Sequence, residues 1–216
     1  MKRGHLLLLA ALLAVPVCPA RAAAPPAPKT DWQALTRQYT QVLARYPADV
    51  HTRYNLAMVY AHEGRVMDGW RQLQAVDRHL EGKREPFSTQ VIRESRTILT
   101  RSPDDVLTRY RLAFALWFRG QKRESQQEFE RIVALEPTHS WSLAYLGYTY
   151  ADAGNLDHAI VLWERGSKAD PANSILHYVL GLAYTRKGQL KKAAVHFASA
   201  YKDRTLYEYV KGRDKK

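Results

Sequence analysis

A 34-residue period in the C-terminal half is the feature that most restricts the fold of this 216-residue chain. Each member of a first series recurs 34 positions later in a second: Leu146, Gly147, Tyr150, Gly154, Ala159 and Trp163, then Leu180, Gly181, Tyr184, Gly188, Ala193 and Phe197. A fixed period of this length indicates stacked supersecondary units, none of which buries its apolar face alone. Such units usually bind other proteins, so the pattern favours a binding function.

The N-terminal half has a longer period. The residues from Arg45 to Ala57 match those from Arg101 to Ala113, and the shared residues lie 56 positions apart. The extra 22 residues give room for one more helix and its turn. We therefore predict four full units, at about 50–81, 106–137, 140–171 and 174–203, with lone helices at 31–46 and 86–102.

The four units resemble the tetratricopeptide repeat, a helix-turn-helix of 34 residues. The third unit matches the family pattern at Leu146, Gly147, Tyr150, Ala159, Trp163 and Pro171, and the fourth at Leu180, Gly181, Tyr184, Ala193, Phe197 and Ala200. The second keeps Leu112, Ala113, Phe129 and Pro137, and the first keeps Leu56, Ala57 and Tyr60. No unit has an aromatic residue at position 4, where Arg53, Arg109, Leu143 and His177 stand instead.

The resemblance covers residues 31–203 and implies an all-α fold, a right-handed α-solenoid of about ten helices. The residue types fit that fold, because small residues such as Gly147 and Gly181 allow the two helices of a unit to approach closely. Aromatic rings such as Trp163 fill the space between units, and each ring buries about 150–250 Å². Glycines at the turns, such as Gly154, permit the positive φ that ends a helix.

In this family the first helix of each unit lines a concave groove. The positions that face it here are Tyr54, Met58, His62, Tyr110, Phe114, Trp117, Phe118, Trp141, Tyr148, Asp152, Tyr178, Leu182 and Arg186. A soluble monomer seldom exposes so many aromatic residues together unless a partner covers them. We predict a groove for an extended or helical apolar segment of another protein. Two alternatives are a tighter superhelix, whose rings pack on each other, and a C-terminal tail that fills the groove.

The best-known groove chemistry of the family grips a peptide C-terminus with basic and asparagine side chains at positions 5 and 9. This chain has Tyr54, Met58, Tyr110, Phe114, Ala144, Tyr148, Tyr178 and Leu182 at those positions. The resemblance therefore disfavours a carboxylate clamp of the kind used by cytosolic chaperone co-factors.

The sequence gives no sign of a catalytic, cofactor or metal site. His139, His158, His177 and His196 lie 19 residues apart, but 19 is not a multiple of the repeat, so we expect them to face different ways. No HExxH, P-loop, GxGxxG or GxSxG motif occurs. We expect no enzyme activity, no cofactor and no bound metal.

The first 22 residues have the layout of a secretory signal. Lys2 and Arg3 precede an apolar run from Leu6 to Val17, and Ala20-Arg21-Ala22 supplies small residues for cleavage. The run is too short for a membrane span, which takes about 20 residues. We expect an exported, periplasmic or secreted protein; a signal anchor, or a lipoprotein attached through Cys18, is less favoured. Residues 23–30 read as an Ala/Pro linker and 204–216 as a basic cap or tail.

The net charge is +12, and it falls to +9 if the signal is removed. Such a surface favours acidic partners. An alternative function is therefore peripheral binding to an anionic membrane or cell-wall polymer, whereas an exported protein is not expected to meet nucleic acid. The sequence leaves the oligomeric state open.

Overall fold

A computed structural model describes residues 30–213, and this range contains eleven α-helices and no strand. The all-α repeat fold is therefore confirmed. The signal sequence and nearly all of the proposed linker lie outside the described residues. The helices are α1 (Trp32–Arg45), α2 (Val50–His62), α3 (Val66–Leu80), α4 (Arg84–Arg101), α5 (Val106–Phe118), α6 (Lys122–Leu135), α7 (Ser140–Asp152), α8 (Leu156–Ala169), α9 (Ser174–Arg186), α10 (Leu190–Ala200) and α11 (Arg204–Arg213).

Four helix pairs form the repeated units: α2–α3, α5–α6, α7–α8 and α9–α10. The first helix of each pair begins after a side-chain N-cap, supplied by Asp49, Asp105, His139 and Asn173. Each cap accepts a hydrogen bond from a backbone N–H of the first turn, which would otherwise lack a partner. Gly64, Gly120, Gly154 and Gly188 have positive φ in the turn between the paired helices. The same local signals therefore start and stop every unit.

Positions 4 and 23 of each unit face each other across its two helices. Arg53 Nη1 donates to Gln72 Oε1, Arg109 pairs with Glu128, and His177 Nδ1 lies 3.0 Å from His196 Nδ1. In the third unit both positions are apolar and buried, as Leu143 and Leu162. The 19-residue spacing of His177 and His196 thus has a structural cause, and the expectation that these two face different ways was wrong.

The basic residues at position 4 also bind the preceding turn. Arg53, Arg109 and His177 each contact the carbonyl oxygen of the proline six residues earlier, at Pro47, Pro103 and Pro171. In the third unit the corresponding carbonyl oxygen belongs to Pro137, and it accepts a hydrogen bond from Arg165 of α8 instead. A polar contact with the turn therefore replaces the apolar side chain that the family pattern has at this position.

Two helices, α1 and α4, stand outside the paired units. Helix α1 packs on α2, and α4 packs on α5. The chain therefore repeats a block of three helices, α1–α3 and then α4–α6. As a result α4 packs closely on α5 and only marginally on α3, and a cleft opens between α3 and α4.

The solenoid curls tightly enough for α2 to meet both α5 and α7. Tyr145 Oη donates to the carbonyl oxygen of Ala61 at 3.2 Å, and the indole of Trp141 covers Gly64, where no side chain would fit. The first block of helices, α1 to α3, thus lies against the concave side of the second and third units. No helix within residues 30–213 is long and apolar enough to cross a membrane.

Candidate protein-binding surface

The structure separates the predicted groove residues into a buried group and an exposed group. Tyr54, Met58, His62 and Tyr110 are at most 8% exposed and belong to the core, so their predicted exposure was wrong. The cause is the tight curl, because α2 packs against α5 and α7, and Trp32 of α1 lies edge-on to the ring of Tyr110. Tyr110 Oη lies 2.9 Å from Ser142 Oγ, and Tyr54 Oη donates to the carbonyl of Arg111 at 2.9 Å. Burial raises the pKa of both phenols.

Phe114 and Trp117 occupy an intermediate position. The ring of Phe114 packs edge-on against Phe129 and Tyr145, with centroid distances of 5.4 and 5.1 Å. The ring of Trp117 lies beside that of Tyr148, with centroids 6.3 Å apart. Both residues are partly buried, so each has only part of its surface open to a partner.

A groove that lies over α7 and α9 is open. Tyr148 and Leu182 are 55% and 47% exposed, and together with Trp141 and Tyr178 they line a cavity of about 770 Å³. Val66 of α3 and Val210 of α11 also line this cavity. We call this the C-terminal groove. Of the other predicted residues, Arg186 is exposed at the end of α9, and Asp152 pairs with Lys122 at 2.8 Å.

The sequence did not predict two parts of this surface. The first is Val66, which reaches the C-terminal groove from α3, far away in the chain. Val210, in contrast, belongs to the C-terminal segment that the sequence offered as a cap or as an occupant of the groove. The cleft between α3 and α4 forms a second cavity of about 790 Å³, with the exposed rings of Trp70 and Phe118 at its walls. The sequence signal for this cleft was the change from a 56-residue to a 34-residue period, because the longer period includes α4, which interrupts the regular stacking.

A polar cluster ties the first block of helices to the third unit. His62 Nε2 lies 3.1 Å from Glu136 Oε2, and the rings of His62 and His139 stack with centroids 4.1 Å apart. Burial, then the nearby His62, lowers the pKa of His139 to about 4. The pKa of the Glu136 carboxyl is also lowered, because the hydrogen bond and charge of His62 outweigh its burial.

We predict that this cluster makes the fold sensitive to acid. A histidine whose pKa is lowered by folding stabilises the fold when neutral, and this contribution is lost as pH falls from 6.5 through about 4. Glu136 acts in the same direction as its carboxylate becomes protonated below its unfolded pKa near 4.5. The change in the pKa of His139 from 6.5 to about 4 corresponds to about 3 kcal/mol. Because about a quarter of the side chain is exposed and solvent screens its charge, we expect a loss of about 2 kcal/mol.

The measurement is urea denaturation at several pH values between 7 and 4 (about one unit apart), with EDTA present. His139→Asn keeps a side-chain cap, as Asn173 does for α9, but cannot titrate. The variant should show a flatter decline in unfolding free energy. Equal slopes for both proteins would contradict the prediction.

Comparisons with known proteins agree with the repeat architecture. Two overlapping segments, residues 110–174 and 145–206, match the tetratricopeptide repeat family model. The chain matches no curated protein.

Among solved structures, a crystal structure of MamA is 21% identical, with 83% of this chain and 92% of that chain covered and a TM-score of 0.48. MamA 41-end from Desulfovibrio magneticus RS-1 is 20% identical, with 80% and 95% covered and a TM-score of 0.47.

Proposed function

We propose that this protein is an exported scaffold that binds another protein of the cell envelope through the C-terminal groove. The observation that carries the proposal is the exposure of Tyr148 and Leu182 at the wall of a cavity of about 770 Å³. Aromatic and large apolar side chains around a concavity are typical anchors of protein interfaces. The bound segment would present apolar side chains to the groove.

Charge supports a partner with acidic flanks. Residues 186–213, which include the end of α9 and all of α10 and α11, contain eight basic and two acidic residues. Arg186 lies exposed at the end of the helix that carries Leu182. A basic surround speeds the encounter with an acidic segment and orients it, while the apolar contacts hold it.

The test compares two variants in affinity capture from envelope extract. Tyr148→Asp/Leu182→Asp places two charges in the groove, and Val161→Asp places one at an exposed apolar position of α8. Capture of the groove's partner should fall about tenfold or more in the first variant, since interface anchors contribute at least 1–2 kcal/mol each. Val161→Asp should capture it normally. A partner retained equally by both variants would remove the groove from the proposal.

Export is part of the proposal and has its own test. The basic start, the short apolar run and the small residues at 20–22 support a cleaved signal. Mass spectrometry of the protein from the envelope fraction should find a mature N-terminus near Ala23. An intact Met1 in that fraction would indicate a signal anchor instead.

A second candidate function is binding to an anionic envelope surface. It rests on α10, where Leu190 and Val195 are each 66% exposed and stand beside the exposed Lys191 and Lys192. Apolar and basic side chains on one exposed helix face suit the interface of an anionic bilayer. Leu190→Asp/Val195→Asp should then abolish co-sedimentation with anionic vesicles, whereas Tyr148→Asp/Leu182→Asp should not. Absence of the wild type from the vesicle pellet would eliminate this function.

A further inference from the structure

Helix α4 has the contacts and the following turn of a second helix in a repeated unit. It packs on α5 as α6 packs on α7 and as α8 packs on α9. Pro103 follows α4, just as Pro137 follows α6 and Pro171 follows α8, and each proline leads into a first helix with a side-chain N-cap. Only residues 81–83 separate α4 from α3. Within residues 30–213, α4 is therefore the second half of a unit that has no first helix.

The cleft between α3 and α4 lies where that first helix would stand. In the regular units a first helix packs between its own second helix and the second helix of the preceding unit, as α7 does between α6 and α8. Here α3 and α4 are the two second helices, and the cavity of about 790 Å³ lies between them. A cylinder about 10 Å wide and about 10 Å long, or roughly two turns of an α-helix, has a similar volume. The cleft therefore has room for a short stretch of helix.

The walls of the cleft are apolar, as the surroundings of a first helix are. Large side chains from α3, α4 and α5 line it, namely Trp70, Leu73, Leu80, Phe87, Val91 and Phe118. Trp70 is 52% exposed, whereas Ile160, at the same position of the third unit, is 7% exposed. Ile160 belongs to a core that includes Leu176 and Leu180 of the next first helix, α9. Trp70 has the exposure expected where such a helix does not follow.

A polar contact joins neighbouring units elsewhere in the solenoid. Tyr150 Oη of α7 donates to Glu130 Oε1 of α6 at 2.7 Å, and Tyr184 of α9 donates to Glu164 of α8. In both pairs a tyrosine of a first helix meets position 25 of the preceding second helix. Gln74 holds this position in α3, where it is exposed and lines the cleft. A tyrosine on a helix in the cleft can therefore donate to the amide oxygen of Gln74.

The charged residues of the cleft are paired with each other. Arg84 pairs with Asp77, and Arg119 Nη2 lies 3.1 Å from Glu85 Oε1. These two basic and two acidic residues are the charged side chains of the lining, so its net charge is zero. A charged ligand would have to compete with both ion pairs, whereas an uncharged apolar face would leave them in place. The charge of the cleft thus matches an apolar helix face.

We propose that the cleft binds a single amphipathic α-helix of another protein, which takes the place of the first helix beside α4. The face that enters is apolar and uncharged, and it carries a tyrosine for Gln74. Helices that lay an apolar face into a groove are a common mode of protein recognition. This site goes beyond the proposed function, because the cleft shares no lining residue with the C-terminal groove. The two sites can therefore fail separately.

The probe for this site is a synthetic peptide with the sequence of α9, residues 174–186. A hydrocarbon staple between positions 178 and 182 holds it helical, and both positions belong to the groove side of α9. The site between α8 and α10 is already filled by α9 itself, so the cleft is the place that remains for a first helix. Calorimetry with the full chain should give one peptide per chain and a dissociation constant of about 10–100 µM.

Three variants locate the peptide. Trp70→Asp places a charge in the exposed wall of the cleft and should weaken peptide binding about tenfold or more. Met67→Asp is the matched control, since Met67 lies on the same helix, is 45% exposed and is not among the lining residues. It should bind the peptide as the wild type does. Tyr148→Asp/Leu182→Asp should also bind it normally, because those residues line only the C-terminal groove.

Gln74→Glu tests how the helix is placed. It gives α3 the glutamate that α6 and α8 have at this position, and it should tighten peptide binding about threefold, because a carboxylate accepts a stronger hydrogen bond than an amide. The gain should disappear with a peptide that carries Tyr184→Phe.

Three results would overturn the proposal. The first is no binding of the peptide at about 1 mM. The second is equal affinity in Trp70→Asp and Met67→Asp, which would place the peptide outside the cleft. The third is a dimer in sedimentation velocity that Trp70→Asp abolishes and Met67→Asp retains, since the cleft would then hold a second copy of this chain.

Discussion

Gly147→Leu should lower the free energy of unfolding by about 3 kcal/mol or more, a cost typical of severe overpacking in a core. A Cβ built at Gly147 would lie 2.4 Å from Trp163 Nε1. The indole cannot move aside easily, since it is 4% exposed and donates a hydrogen bond to the carbonyl of Ala144 at 3.0 Å. Urea denaturation followed by circular dichroism measures the change.

The control is Ala194→Leu, at an exposed position of α10, where the same residue should change stability by less than about 0.5 kcal/mol. Gly181→Leu should give an intermediate result, because the facing ring of Phe197 is only partly buried and has room to shift. If Gly147→Leu unfolded at the same urea concentration as the wild type, α7 and α8 would not approach as closely as the structure shows.

The repeated units could be predicted from the sequence because their signals are local. Gly147 and Trp163 recur as Gly181 and Phe197, and each pair meets inside a single unit. The two lone helices were also visible, predicted at 31–46 and 86–102 and observed at Trp32–Arg45 and Arg84–Arg101. Caps and turn glycines act within a few residues, so a single sequence is enough to place them.

The curl of the solenoid could not be predicted in the same way. It is the sum of small rotations between units, and α4 changes one of them by inserting an extra helix. Its result is a set of contacts between residues far apart in the chain, such as Tyr145 with Ala61 and His62 with Glu136. Four of the predicted groove residues are therefore core residues, while Val66, which also lines the C-terminal groove, carried no sequence signal.

The structure explains why the residues at position 4 depart from the family pattern. An arginine there looks unfavourable in a repeat core, yet Arg53 and Arg109 both donate to a proline carbonyl and to the residue 19 positions later. The two sites are equivalent by the 56-residue period, but their partners differ, since Gln72 is neutral and Glu128 is charged. The stabilising effect of a neutral and of a charged partner can therefore be compared within one protein.

Glu128→Ala should destabilise the fold by about 3–5 kcal/mol, because it leaves a buried cation without its counter-charge. Arg109 is 6% exposed at its side chain, and its Nη1 lies 2.5 Å from Glu128 Oε2. Gln72→Ala removes the corresponding partner of Arg53, which is more exposed and keeps its bonds to Pro47, so its cost should be about 1 kcal/mol. Urea denaturation of the two variants under one condition gives the difference.

The third unit shows what can replace the buried ion pair. Leu143 and Leu162 occupy the equivalent positions and are 1% and 3% exposed in the same core. Arg109→Leu/Glu128→Leu should therefore recover most of the stability lost in Glu128→Ala, since a well-packed apolar pair avoids the desolvation of two charges. If the double variant is as unstable as Glu128→Ala, the apolar pair does not compensate for the lost bond from Arg109 to the Pro103 carbonyl, and the prediction of recovery would be wrong.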